Sequence, residues 1–157
     1  MSYVTEKTVW LSDEKALSPA VRKLLARMYE LADDKGEEVG QIMATELFTP
    51  DATVCGGGPG HEEIKGTAAI AESRKQSWAV MSQRKHTILR AFGSTDGREI
   101  ILIGQVDTTL INDKQLSVPW TAHMEVVGPD TDSPQVSFMR VYMDPSPVIA
   151  ALKPAEQ

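Results

Sequence analysis

The feature that most constrains this chain is the stretch 98–127, which alternates, turns back at Asn112-Asp113-Lys114 and alternates again. Successive residues of a strand point to opposite faces. One side of the outward limb therefore carries Ile100, Leu102, Gly104, Val106, Thr108 and Leu110, and the other carries Ile101, Ile103, Gln105, Asp107 and Thr109. On the return limb Trp120, Ala122, Met124 and Val126 oppose Pro119, Thr121, His123, Glu125 and Val127. One face of the hairpin is apolar throughout. The other is apolar at its ends and holds Gln105, Asp107, His123 and Glu125 in its middle, which costs stability unless those groups find partners or a ligand. This second face is the expected wall of a reaction chamber.

The segments before the hairpin read as helices. Ser18-Pro19 is a helix start, a capping hydroxyl followed by proline. Val21, Leu24, Leu25, Met28, Leu31 and Ala32 follow as one apolar stripe. A second helix is expected over 37–48, weakened by Gly40 by about 1 kcal/mol and ended by Pro50. A short strand, 51–55, leads into Gly56-Gly57-Gly58-Pro59-Gly60, which lacks the GK[ST] ending of a phosphate loop. It reads as a mobile loop, with His61 and Glu62 placed to belong to a lid. A third helix over 67–81, a strand over 83–92, the hairpin and a last strand over 135–144 complete the order. Helices gathered before an antiparallel sheet predict an α+β domain, the helices laid across one face. Such a curved sheet with three helices makes a cone, a cystatin-like α+β barrel whose inside is a pocket.

A chain of 157 residues is one domain by length. It divides into an arm over 1–17, the domain over 18–152 and a polar tail over 153–157. With 16 basic against 22 acidic residues the net charge is −6, and no basic cluster invites nucleic acid or anionic lipid. No apolar run is long enough to span a membrane. The N-terminal segment is polar and acidic, unlike a secretory leader, and one cysteine, Cys55, cannot form an internal disulfide. The expected location is the cytoplasm.

The strings RMYELADDKGEEVGQIMATELFTPDATV, GHEEIKGTAAIAE and RVYMDPSP, in that order and spacing, resemble the nuclear transport factor 2-like superfamily. Within it they are most similar to its SnoaL-like polyketide cyclase and scytalone dehydratase branches. The resemblance covers residues 18–152. It implies the conical sheet and three helices, and a homodimer formed through the outer face of the sheet. Lys85-His86-Thr87 looks like the segment that carries a histidine in scytalone dehydratases. The carboxylate that ketosteroid isomerases carry just after DATV is replaced here by Cys55-Gly56-Gly57. Met139, Val141 and Met143 occupy the face that supplies an aspartate in limonene epoxide hydrolases.

His86, His123, Asp107 and Glu125 are the candidate catalytic residues, because an imidazole beside a carboxylate on a dry wall takes or gives a proton near neutral pH. Asp107 is expected to pair with His123 across the hairpin. A bulge at Pro119 would instead turn Trp120 and Met124 inward. Tyr29 and Asp33, one helical turn apart, are placed to reach a cavity mouth together; Asp33 also fits a solvated cap. Trp78, Gln105, Trp120, Met139, Val141 and Met143 complete the expected substrate-binding wall. HxxxH, HExxH and CxxC spacings are absent, so neither metal nor cofactor is expected. The reading is a cofactor-independent isomerase, cyclase or dehydratase of secondary metabolism acting on a polycyclic, partly apolar polyketide or terpenoid. A non-catalytic module binding a lipophilic ligand or a protein, and an epoxide-hydrolase-like enzyme, are the alternatives.

Overall fold

The computed structural model describes residues 1–56 and 62–155; the lid assigned to the glycine loop and His61 lies outside them. In chain order the elements are β1 (Val9–Trp10), α1 (Pro19–Ala32), α2 (Val39–Glu46), β2 (Phe48–Cys55), β3 (Glu63–Lys65), α3 (Thr67–Gln76), β4 (Met81–Gly93), β5 (Glu99–Leu110), β6 (Gln115–Val127), β7 (Gln135–Tyr142) and α4 (Ser146–Leu152).

The helix α1 begins where its cap requires. The Ser18 hydroxyl accepts from the Val21 N–H at 3.2 Å, and Pro19 occupies the first turn, where no N–H is needed. Its apolar stripe is buried from Val21 to Ala32. The helix α2 is shorter than its sequence pattern predicts, because Phe48-Thr49-Pro50 is already extended. Pro50 therefore lies within β2, in the interval where pairing with β7 is interrupted between Phe48 and Thr53. Gly40 weakens α2 locally but permits close packing: a Cβ there would stand 2.5 Å from the Ala71 carbonyl of α3. The helix α3 stops at Gln76, which leaves Trp78 in the connection to β4.

Seven strands among the described residues form one curved sheet in the order β1-β4-β5-β6-β7-β2-β3. The four long strands β4 to β7 are antiparallel as expected. β1 joins β4 and β2 joins β7 in parallel, so the sheet is mixed, and β1 and β3 remain as free edges rather than closing a barrel. The arm over 1–17 is integrated: Val4 and Leu17 are fully buried, and Trp10 docks on its own domain under the Arg22 guanidinium, 4.6 Å away.

The hairpin register is Ile100↔Met124, Leu102↔Ala122, Gly104↔Trp120 and Val106↔Val118, and all of these lie on the helix side. The uniformly apolar face of the hairpin is thus the covered one. Helices supply an apolar stripe and need an apolar surface beneath it. The face with Gln105, Asp107, His123 and Glu125 is left outside.

Candidate functional site

The site grows from the C-terminal end of α1. Asp33 follows the last helical residue, and its side chain is 6% exposed. Its Oδ1 lies 2.6 Å from His86 Nδ1. Its Oδ2 accepts from the His86 backbone N–H at 2.7 Å and from the Tyr3 hydroxyl at 2.9 Å. Arg84 Nε stands 3.6 Å from Oδ1. Pairing of Arg84 with Thr108, His86 with Val106 and Ile88 with Gly104 puts Arg84 and His86 on the covered side of β4.

A carboxylate oxygen is only an acceptor, so the short contact places the His86 proton on Nδ1 and leaves a lone pair on Nε2. Burial lowers the proton affinity of this imidazole, opposed by the charge of Asp33 and assisted by Arg84 and Arg74. The neutral ring is therefore favoured. It packs against Tyr29 and Trp120, with ring centroids 5.1 Å and 5.8 Å away. Tyr29 and Trp120 stack on each other at 4.8 Å. Both are almost fully buried, 4% and 3% exposed. Tyr29 Oη and Trp120 Nε1 have no hydrogen-bond partner among the described residues. Burial, with the nearby charge of Asp33, pushes the Tyr29 hydroxyl well above its ordinary pKa, so it remains a donor.

Two guanidinium groups converge on the last turn of α1. Arg74 Nη2 donates to the Ala32 carbonyl at 2.8 Å, and Arg84 Nη2 donates to the same oxygen. The negative end of a helix favours cations there. Burial and the neighbouring Arg84 lower Arg74 to about 10. An open-sided cleft of about 840 Å³ adjoins them, bounded by Asp33, Lys35, Trp78, Arg84 and the tip of the β5–β6 hairpin. The Trp78 ring has Arg84 4.5 Å and Lys35 5.0 Å from its centroid. His86 is not part of the lining and sits instead against Tyr29 and Trp120.

No family model matches the chain, and no curated protein is similar to it in sequence. Solved structures are similar in shape. A protein assigned as a SnoaL-like polyketide cyclase from Jannaschia sp. CCS1 is 13% identical over 91% of this chain and 99% of its own, with TM-score 0.69. A phenazine biosynthesis-related protein from Pseudomonas aeruginosa is 15% identical over 94% and 90%, with TM-score 0.67. An epoxide hydrolase/cyclase-like enzyme of pyran ring formation in the polyether salinomycin is 16% identical over 78% and 89%, with TM-score 0.59. NTF2-like proteins of unknown function match as well. The chain has the nuclear transport factor 2-like fold.

Within this NTF2-like cone the expected site residues separate. His86, Tyr29, Asp33 and Trp120 come together beneath the sheet, and Trp78 stands at the cleft. Asp107, His123, Glu125 and Gln105 face outward, which corrects the expectation that their side of the hairpin lines the chamber. Asp107 pairs with Ser117, not His123: its Oδ1 accepts from the Ser117 hydroxyl at 2.6 Å and from Gln105 Nε2 at 3.1 Å. Those two bonds hold its carboxyl below the usual range. It lines the cleft from the outer side of the sheet, with Lys85 and Ser117. His123 sits opposite Ile101, 3.3 Å from Glu99 Oε1 and against the Phe138 ring at 5.6 Å. No bulge occurs at Pro119, which pairs in register with Gln105; Trp120 and Met124 point inward because theirs is the apolar face. Met139 is in the core, with Val141 and Met143 packed at its margin, so these three pack rather than line the cleft.

Glu99, His123 and Glu125 bring one ligand atom each within 4.8 Å of the others on the outer face, a grouping able to meet a cation. The sequence spacing conceals it because Glu99 comes from the neighbouring strand. Cys55 has its Sγ 3.5 Å from Arg140 Nη2 and 3.7 Å from Glu63 Oε2. Sequence reasoning missed Tyr3, Arg74 and Arg84. Tyr3 and Arg74 reach Asp33 and Ala32 across 30 and 42 positions with no local pattern. Arg84 carried a signal, since strand alternation places it on the same face as His86.

Proposed function

We propose that the chain is a cofactor-independent enzyme that moves a proton on a small molecule. It would act as an isomerase, cyclase or dehydratase on a ring compound of polyketide or terpenoid type. The observation that carries this reading is the 2.6 Å contact of His86 Nδ1 with Asp33, which leaves Nε2 unprotonated on a ring packed against Tyr29 and Trp120, whose buried donors have no partner among the described residues. A buried donor without a partner costs about 1–3 kcal/mol. Tyr29 Oη and Trp120 Nε1 are retained at that cost on rings that pack against the imidazole.

In this reading His86 Nε2 removes a proton from carbon adjacent to a carbonyl. The electron pair moves onto the oxygen, where the Tyr29 O–H and Trp120 N–H stabilise it. Asp33 holds the imidazolium that forms. Return of the proton to another carbon gives isomerisation. Attack of the same enolate on an internal carbonyl, with the proton delivered to the new alkoxide, gives ring closure. Cyclase-type names among proteins of similar shape support this class of reaction. Exposed Phe92, Ile101, Ile103, Val127 and Tyr142 on the outer face support a homodimer formed through it. No helix of the described residues is long and apolar enough to cross a membrane, and the single cysteine supports the cytoplasm.

The test needs no knowledge of the natural substrate. A set of cyclic and open-chain 1,3-dicarbonyl compounds is incubated with the protein in deuterated water, and loss of the acidic C–H signal is followed by NMR. Exchange above the buffer rate that disappears in His86→Ala is the expected result. Wild-type protein at the buffer rate throughout the set would remove the proposal.

A further inference from the structure

We infer that the cleft beside Trp78 binds a planar monoanion, a ring compound bearing a carboxylate, with the negative group held by Arg84. This inference deepens the proton-transfer reading and rests on it for the idea that the cleft admits a substrate. It starts from an imbalance of charge. Arg74 and Arg84 are both largely removed from water, and the carboxylate that meets them is that of Asp33, with Arg84 Nε 3.6 Å from its Oδ1. His86 contributes no charge while its ring is neutral. Two cations against one anion leave one positive charge in excess in a place where charge is expensive to leave unbalanced.

The hydrogen bonding is equally incomplete. Arg74 and Arg84 share the single Ala32 carbonyl, and the Nε atoms of both are buried without a hydrogen-bond partner among the described residues. A guanidinium has five N–H donors in a fixed fork that matches a carboxylate. Arg84 is the member of the pair that borders the cleft. Lys35 and Lys85 border it too, against Asp33 and Asp107, so the lining as a whole keeps one positive charge in excess although the chain carries −6. That local reversal draws an anion toward this opening and away from the rest of the surface.

The shape of the anion follows from Trp78. Arg84 and Lys35 lie over its ring and the indole lines the cleft, so an aromatic ligand can meet the indole while its charged group meets the guanidinium. One excess positive charge matches a monoanionic carboxylate better than a phosphate, which is close to doubly charged at neutral pH.

The experiment is a binding titration of the full chain with 1-naphthoate and its neutral isostere 1-naphthamide, read by tryptophan fluorescence and by chemical-shift changes at Trp78. Naphthoate is expected to bind at least about tenfold more tightly than the amide, a difference of about 1.4 kcal/mol. Arg84→Gln is expected to abolish that preference, and added salt to weaken the acid but not the amide. Lys35→Gln, at an exposed residue, provides a variant that keeps the fold and is expected to lower affinity for the acid alone. Equal binding of acid and amide, no binding of the acid, or a preference untouched in both variants overturns the inference. His86→Ala separates the two proposals, since it is expected to remove deuterium exchange and leave naphthoate binding intact. Naphthoate binding to a protein that exchanges no carbon acid would retain this inference and discard the reaction. Exchange of neutral diketones without naphthoate binding would do the reverse.

Discussion

Gly104 faces Trp120 across the β5–β6 ladder, and the indole fills the space that a side chain at 104 would need. A Cβ there would stand 2.2 Å from Cζ2 of the indole and 2.7 Å from the Thr87 carbonyl. The glycine therefore lets Trp120 lie over β5 and reach Tyr29 and His86. Gly104→Ala is expected to destabilise the fold by about 1–3 kcal/mol through overpacking, seen as a lower thermal midpoint. Trp120→Leu in the same chain is expected to recover part of the loss. A midpoint unchanged by Gly104→Ala would mean that the indole is free to move aside.

The dyad makes a sharper demand. His86→Ala is expected to slow carbon-acid exchange by about 10²- to 10⁴-fold, the usual worth of a general base. Asp33→Asn offers Nδ1 an amide in place of a carboxylate and no longer fixes the tautomer, so a loss of similar order is expected. Both are read from deuterium incorporation, with circular dichroism to confirm the fold.

The outer face provides the contrast. His123→Ala and Asp107→Asn are expected to leave that rate within about twofold, because surface changes of this kind stay within about 0.5 kcal/mol. A large loss in either would return the reaction chamber to the other side of the sheet.

Stability is expected to depend on pH through His86. Burial lowers its proton affinity below the ordinary imidazole value of 6.5, so below that pH the unfolded chain binds more protons than the folded one. The contribution of the neutral ring is complete above about 6.5 and is lost as pH falls from there through the lower folded-state value. Asp33 opposes this shift; Arg84 and Arg74 reinforce it. Urea denaturation of wild type and His86→Gln across this range should give a steeper acid-side slope for wild type. Parallel slopes would contradict the assignment.

Tyr3 positions rather than reacts. Its hydroxyl holds Asp33 Oδ2 while Oδ1 addresses the imidazole. Tyr3→Phe is expected to cost about 0.5–1.5 kcal/mol, the net worth of one hydrogen bond, and to move the His86 ring-nitrogen shifts in NMR. A purely structural bond would lower stability and leave those shifts in place.

Much of this architecture was legible in the sequence. Ser18-Pro19 and the stripe from Val21 to Ala32 located α1, and alternation over 98–127 separated the two faces of the hairpin correctly. Which face turns inward was read the wrong way round. Polar groups mid-strand suggested a pocket wall, whereas the helices needed the uniformly apolar side beneath them. Asp33 was open to both readings because a residue closing a helix serves equally as a solvated cap. Its true partner lies 53 positions away on β4, a separation at which no local pattern survives. Glu99 and His123 became neighbours only once β5 and β6 were in register.

The Ala32 carbonyl, shared by guanidinium groups from α3 and β4, makes the length of α1 a fixed quantity. One residue inserted or deleted between Ser18 and Ala32 would rotate the helix end by about 100°. That would swing Asp33 off the strand that carries His86 and strip both arginines of their common acceptor. Libraries built to diversify this scaffold should keep that span at constant length and place their insertions in the connection over 36–38, beyond the helix end and Lys35.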